Sequence, residues 1–175
     1  MAYDPSLEPH ENYAALQSLV EQGAGYVAWP AEKLFEVKAA VSGWSIGHHL
    51  YHLALAHGSI PRLIERLHSG RLGDDTLAGI PERLQVIYEG KVPGGRTAPE
   101  QVRPPDNLDH GLLKRDWGRM TKAITRVEPL LDELEGIPRL FPHLFFGPLT
   151  ALEWLRFMQN HKRHHLGIIA KIEAG

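Results

Sequence analysis

Thr150-Ala151-Leu152-Glu153-Trp154-Leu155-Arg156-Phe157-Met158-Gln159-Asn160-His161-Lys162-Arg163-His164-His165-Leu166-Gly167-Ile168-Ile169 decides how this chain folds, because two histidines fall inside its apolar period. Trp154, Met158, His161, His165, Ile168 and Ile172 follow one another at alternating spacings of four and three, the rhythm of a helix face turned toward a core. The start of this helix is marked independently. Thr150 and Glu153 have the form of a capping box, in which the hydroxyl accepts from the Glu153 amide and the carboxylate reaches back to the Thr150 amide. Gly147-Pro148 just before it reads as a turn pair. With the helix phase set this way, His161 and His165 point inward. Two imidazoles one turn apart in a core cost free energy unless their nitrogens find partners, and a metal ion satisfies both at once.

Three further segments carry the same heptad-like spacing. Tyr13, Leu16, Val20, Gly23 and Val27 form the first, which stops at Pro30. Ile46, Leu50, Leu53, His57, Ile60, Ile64 and Leu67 form the second, ending before Gly70, with a bend expected at Pro61 because its ring displaces a backbone hydrogen bond. Leu113, Trp117, Met120, Ile124, Val127, Leu131 and Leu134 form another, closed by Gly136 and Pro138. Four amphipathic helices and no alternating strand pattern predict an all-α fold, a four-helix bundle.

About forty residues separate the second helix from the third, too many for a tight hairpin, and they include Pro81, Pro93, Gly94, Gly95, Pro99, Pro104 and Pro105. Such a connection is long enough to cross the bundle, so neighbouring helices need not alternate up and down. Within it, Pro81–Glu89 reads as a short helix starting at a proline, and the rest as a pocket rim or a surface loop.

At 175 residues the chain fits one domain over 1–175, large enough to bury a core without a metal as a folding requirement. Any metal is then expected to be catalytic or regulatory. The absence of cysteine removes disulfides, thiolate zinc sites and a cysteine nucleophile. A net charge of −2, from 19 basic and 21 acidic residues, leaves no electrostatic footprint for nucleic acid or for a membrane surface, and neither partner is expected. The opening Met-Ala-Tyr-Asp-Pro-Ser is not a cationic stretch followed by an apolar run, and no apolar run is long enough to span a bilayer. The expectation is a soluble, cytoplasmic protein.

A metal site needs a third protein ligand, and the second helix offers His48, His49, His52 and His57. With Ile46 at the centre of its apolar face, a turn of about 100° per residue puts His49 and His52 on one flank and His48 nearly opposite, while His57 lies on the seam. Geometry narrows the third ligand to His49, His52 or His57. His164 falls at the edge of the last helix's apolar face and reads as exposed, with a contact to substrate or to a ligand ring as the alternative. Glu153 reads as a cap rather than a base, and Tyr51 and Asn160 point away from the ligands beside them. His143 and Arg139, in the loop before the histidine helix, either face an anionic substrate or are solvated.

Two of these stretches resemble a known family. Trp44-Ser45-Ile46-Gly47-His48-His49-Leu50-Tyr51-His52-Leu53 is similar to the second-helix signature of the DinB-like superfamily, the DinB/YfiT-like metalloenzymes. In that signature a Trp-Ser/Thr pair is followed by a metal-binding histidine directly before an apolar residue, and by position that histidine is His52. Phe146-Gly147-Pro148-Leu149-Thr150, then Glu153-Trp154, then His161-Lys162-Arg163-His164-His165-Leu166 resembles the last-helix signature of an uncharacterised branch of the superfamily. By this match His161 and His165 complete the triad. Relatives commonly carry glutamine three residues after the last ligand, where this chain has Ile168.

The resemblance implies an up-down-down-up four-helix bundle with a long crossover between helices 2 and 3, a divalent ion, usually zinc or nickel, held by His52, His161 and His165, and a homodimer. Characterised relatives include enzymes that use low-molecular-weight thiols, such as mycothiol-dependent maleylpyruvate isomerase and bacillithiol transferases. Three neutral imidazoles leave an ion's charge uncompensated and at least one coordination position open, the arrangement of a catalytic site. Such an ion brings the pKa of a bound water to about 7 and acts likewise on a thiol. The expected activity is a metal-dependent transferase or hydrolase acting on a small molecule, with water or a small thiol as nucleophile. The alternatives are a non-catalytic protein that binds a metal or small ligand, and a metal-free core in which the histidines bond to one another.

Overall fold

The computed structural model describes residues 7–93, 95 and 97–175. Residues 1–6, which carry the opening read above, and Gly94 of the connector lie outside the described residues.

Helix α1 (Pro9–Val27) starts with proline at a position where no amide donor is needed, and the Glu11 carboxylate accepts from the Glu8 amide at 3.2 Å. A short helix α2 (Ala31–Phe35), which the sequence pattern did not reveal, follows Pro30. Its Phe35 ring lies over Gly47: a Cβ there would sit 2.5 Å from the ring, so only glycine lets the start of the next helix come this close. The second bundle helix is two pieces, α3 (Ile46–Gly58), capped by Ser45, and α4 (Ile60–His68). The break falls at Ser59, two residues before the expected bend, because the Pro61 ring crowds the carbonyl of His57 and cannot return a hydrogen bond to it.

Within the connector, α5 (Glu82–Ile87) follows Pro81, inside the expected span, and a single 3-10 turn occupies Glu100–Val102. Helix α6 (His110–Ile124), capped by Asp109, tightens into a 3-10 segment over Thr125–Gly136. Pro129 inside that segment has no amide donor to continue the α-helical ladder. Val127, Leu131 and Leu134 stay buried through it and extend the apolar stripe of α6. Helix α7 (Ala151–Ala174) carries both bonds of the Thr150/Glu153 box, at 3.2 and 2.9 Å.

Side-chain bonds between the helix ends give their directions. Arg156 reaches the Leu7 carbonyl and Tyr26 bonds Glu173, so α1 and α7 run parallel. His10 meets Asp132, and His110 meets the Val27 carbonyl, so the third helix runs against the first. Tyr51–Asp116, Arg126–Glu65 and His68–Glu133 advance together along the second and third helices, which are therefore parallel. This is an up-down-down-up four-helix bundle, and the parallel middle pair is what requires the long crossover. Leu16, Leu50, Leu53, Ile64, Leu113 and Met158 are among the residues that fill its centre.

Two findings differ from the expected pattern. A two-stranded antiparallel sheet, β1 (Phe141–His143) and β2 (Gly147–Leu149), precedes α7, with Pro142 opposite Pro148. Gly147-Pro148 is therefore strand and not turn. Gly147 has φ of +68°, and proline sits only where a ladder needs no donor, so these three-residue strands leave no alternation to read. Secondly, α7 is buried on every side over residues 151–160, because α1, α5 and the hairpin cover the faces that a bare bundle would expose. No helix among the described residues is long and apolar enough to cross a membrane.

Candidate metal centre

The antiparallel packing of α3 on α7 brings histidines of both helices to one place. His52, His161 and His165 each offer a ring nitrogen to a common centre, and these atoms all lie within 4.8 Å of one another. His161 Nε2 is 3.0 Å from His165 Nε2 and 3.3 Å from His52 Nε2. An ion with metal–nitrogen bonds of about 2.0–2.1 Å and angles between right-angled and tetrahedral requires nitrogens about 2.9–3.4 Å apart. The two spacings from His161 and the donor type fit a divalent cation.

A layer of further groups surrounds the trio. His52 Nδ1 donates to the Val102 carbonyl at 2.7 Å, which fixes that ring with its proton on Nδ1 and leaves Nε2 as a lone pair. His161 Nδ1 lies 3.1 Å from His57 Nε2, and His165 Nδ1 lies 2.9 Å from His49 Nδ1. The other nitrogen of His49 lies 2.9 Å from the Ser42 hydroxyl, which also accepts from the Trp44 amide. Phe157 stacks on the His161 ring, 5.1 Å between centroids at 15°, and Trp44 lies 5.2 Å from the His52 ring.

The electrostatics favour neutral imidazoles. Burial pushes the His52 ring below its ordinary pKa, against the bond to Val102, and pushes His161 and His165 well below it, with the neighbouring histidines adding to the effect. Burial followed by the nearby His52 lowers His49 to about 4. Neutral rings are the ligand form of histidine. His52 and His165 are buried, whereas His161 is half-buried.

The remaining residues singled out from sequence fall elsewhere. His48 turns away and bonds Ser45 at 2.7 Å. His164 is half-buried with its ring edge-on to His165. Tyr51 bonds Asp116, and Asn160 donates to the Val86 carbonyl, so both are interhelix contacts. Arg139 points to the Gly73 carbonyl, and His143 packs against Phe146 and against Phe157, the ring that stacks on His161; both side chains are half-buried. Glu153 caps α7 and also accepts from Arg83 and Tyr88, which pins the connector helix α5 to α7. The role of Val102 was not legible, since a backbone carbonyl in a proline-rich connector carries no side-chain signal.

The Uncharacterized protein YuaE of Bacillus subtilis (strain 168) is 28% identical over 144 residues, which cover 81% of this chain and 84% of that protein. No solved structure is significantly similar to the chain. The DinB superfamily profile matches residues 11–169, a span that begins in the first bundle helix, ends in the last and includes all three converging histidines, and the chain belongs to the DinB superfamily.

Proposed function

We propose that this protein is a divalent-metal-dependent enzyme acting on a small molecule, as a thiol-dependent transferase or a hydrolase, with His52, His161 and His165 holding the ion. The observation that carries this reading is the convergence of three neutral Nε2 atoms with no carboxylate in the trio. Three such ligands keep the ion's full charge and leave room for an exogenous group. Zinc or nickel suits imidazole donors. A divalent ion in this position supplies Lewis acidity, bringing the pKa of a water or thiol beside it toward neutrality.

The chain's own residues prepare the site. The Val102 carbonyl holds the His52 ring in one tautomer, and Phe157 and Trp44 wall the ligands with aromatic surface that excludes bulk water. The half-buried edge of His161 leaves an approach for a substrate. Because the chain has no cysteine, a sulfur nucleophile must be brought in as a co-substrate. A cytoplasmic setting, where small thiols are kept reduced, fits that requirement. Homodimerisation belongs to the same reading and is measured directly by sedimentation.

Elemental analysis of untagged protein is expected to give one equivalent of a divalent metal, lost in His161→Ala. Turnover across a panel of thiols and electrophiles, abolished by a chelator and restored by zinc or nickel, is the result expected of the enzyme. Stoichiometric metal without turnover across the panel would leave a binding protein, and an unchanged metal content in His161→Ala would remove the reading altogether.

A further inference from the structure

His49 and His57 were candidates for the third ligand, yet both stand one layer outside the converging trio, and both are buried. We infer that they are positioning residues: each is a neutral imidazole that accepts a hydrogen bond from a ligand ring and so turns that ring's Nε2 toward the centre. The inference rests on the metal-site reading above, and goes further by assigning a hydrogen-bond direction to two histidines outside the ligand set.

The direction follows from one fixed point. A carbonyl oxygen only accepts, so the bond to Val102 places the proton of His52 on Nδ1 and a lone pair on Nε2. For His161 and His165 to present lone pairs to the same centre, their protons must also lie on Nδ1. His161 Nδ1–H then donates to His57 Nε2 at 3.1 Å, which puts the proton of His57 on its own Nδ1. His165 Nδ1–H donates to His49 Nδ1 at 2.9 Å, which puts the proton of His49 on Nε2, where it donates to the Ser42 hydroxyl at 2.9 Å. Each of the three ligand rings thereby has an acceptor behind it, and five imidazoles take one consistent set of tautomers. His57 Nδ1, buried and without a bonding partner among the described residues, bears the cost of this arrangement.

Such outer partners are ordinarily carboxylates, carbonyls or waters. Here two of the three are imidazoles, which orient the ligands without adding negative charge. The centre accordingly keeps the full positive charge of its ion, and the exogenous group it favours is an anion.

The two positions use different ring nitrogens, and this gives a test that packing alone would not pass. A glutamine side chain places its terminal oxygen where histidine has Nε2, and an asparagine places it where histidine has Nδ1. His57→Gln and His49→Asn therefore keep an acceptor behind the ligand ring, and His57→Asn and His49→Gln do not. Cobalt(II) is titrated into metal-free protein in competition with a chelator, and the visible absorption of the bound ion is recorded. The expected result is that His57→Gln and His49→Asn bind cobalt within a few-fold of wild type. His57→Asn and His49→Gln should bind about 10–100-fold more weakly with an altered spectrum.

Equal affinity for the two amides at each position would overturn the inference while leaving the three-histidine site standing. A wild type that takes up no cobalt, zinc or nickel would end the metal reading and this inference with it. Should a substitution in this buried layer prevent folding, nitrogen-15 NMR of the metal-bound wild type reads the tautomers directly. Nδ1–H on His57 with Nε2–H on His49 is expected, and the opposite tautomer on either ring overturns the assignment.

Discussion

His52 Nδ1 and the carbonyl oxygen of Val102 lie 2.7 Å apart, so a residue of the second bundle helix is bonded to the connector fifty positions further along the chain. The bond ties the position of the 3-10 turn Glu100–Val102 to the state of the ring. Withdrawal of electron density from the ring by a cation at Nε2 would make its N–H a stronger donor, so metal binding there would be coupled to connector order, and the coupling would be reciprocal. Zinc or nickel is expected to slow amide hydrogen exchange around residues 100–103, with no such effect in His52→Ala. Exchange in this turn that ignores the metal would break the proposed link.

Ligand binding to the folded state also raises global stability. At free metal about one hundred times the dissociation constant the gain is about 2.7 kcal/mol. For a protein of this size that corresponds to a rise in Tm of roughly 5–10 °C. His161→Ala should melt at the same temperature with and without metal. A metal-dependent shift of the wild-type size in His161→Ala would place the ion elsewhere.

The bundle was legible because each of its four helices carries an apolar stripe at heptad-like spacing, and because Thr150 announces the start of the last one with a side-chain cap. The converging pair on α7 was legible for the same reason, two polar rings inside an apolar stripe. Choosing among His49, His52 and His57 was not possible from helical phase, since all three reach the same region and differ only in which nitrogen faces which neighbour. Helix α2 and the Phe141–Leu149 hairpin escaped because five-residue and three-residue elements contain less than two periods of any pattern. The burial of Glu153, Gln159 and Asn160 escaped because it is imposed by α5 and the hairpin, elements distant in sequence or too short to read.

Glu153 joins two elements, α7 and the connector helix α5. Its carboxylate, nearly inaccessible, accepts from the Thr150 amide, from Arg83 at 3.1 Å and from Tyr88 at 3.0 Å. Removing it leaves the Arg83 guanidinium and the Tyr88 hydroxyl without their partner and breaks one of the two bonds of the α7 capping box. Glu153→Ala is expected to cost about 3–5 kcal/mol, as for one member of a buried charged pair, and Tyr88→Phe only about 1 kcal/mol. Denaturant melts compare the two, and limited proteolysis near residues 82–93 should accelerate in Glu153→Ala alone.

Gly23 faces the indole of Trp117 across the α1–α6 contact, so closely that a Cβ would overlap two ring atoms. The ring is buried and rigid, and relief requires the helices to separate. Gly23→Ala is expected to lose about 1–3 kcal/mol by overpacking, although alanine is the better helix former. A stability gain in a urea melt would contradict the contact.

Lys162 lies fully buried on α7, where its ammonium is 3.6 Å from Met120 Sδ and 4.7 Å from the centre of the Trp117 ring, and no carboxylate bonds it among the described residues. Burial lowers its pKa from 10.5 to about 7. Between these values the unfolded chain holds a proton that the folded chain has released, so stability rises with pH across that window. The penalty for burying the ammonium is complete below about pH 7 and gone above the unfolded value. Lys162→Met preserves the stem and removes the charge. In metal-free protein it is expected to raise stability at pH 7 by on the order of 1–4 kcal/mol, as other replacements of buried charge by apolar residues do. The gain should shrink toward pH 10, and tyrosine ionisation cancels because it is common to both proteins. Denaturant melts at the two pH values give the comparison, and a gain independent of pH would mean that burial does not lower the Lys162 pKa, the ammonium keeping its proton equally in both states of the chain.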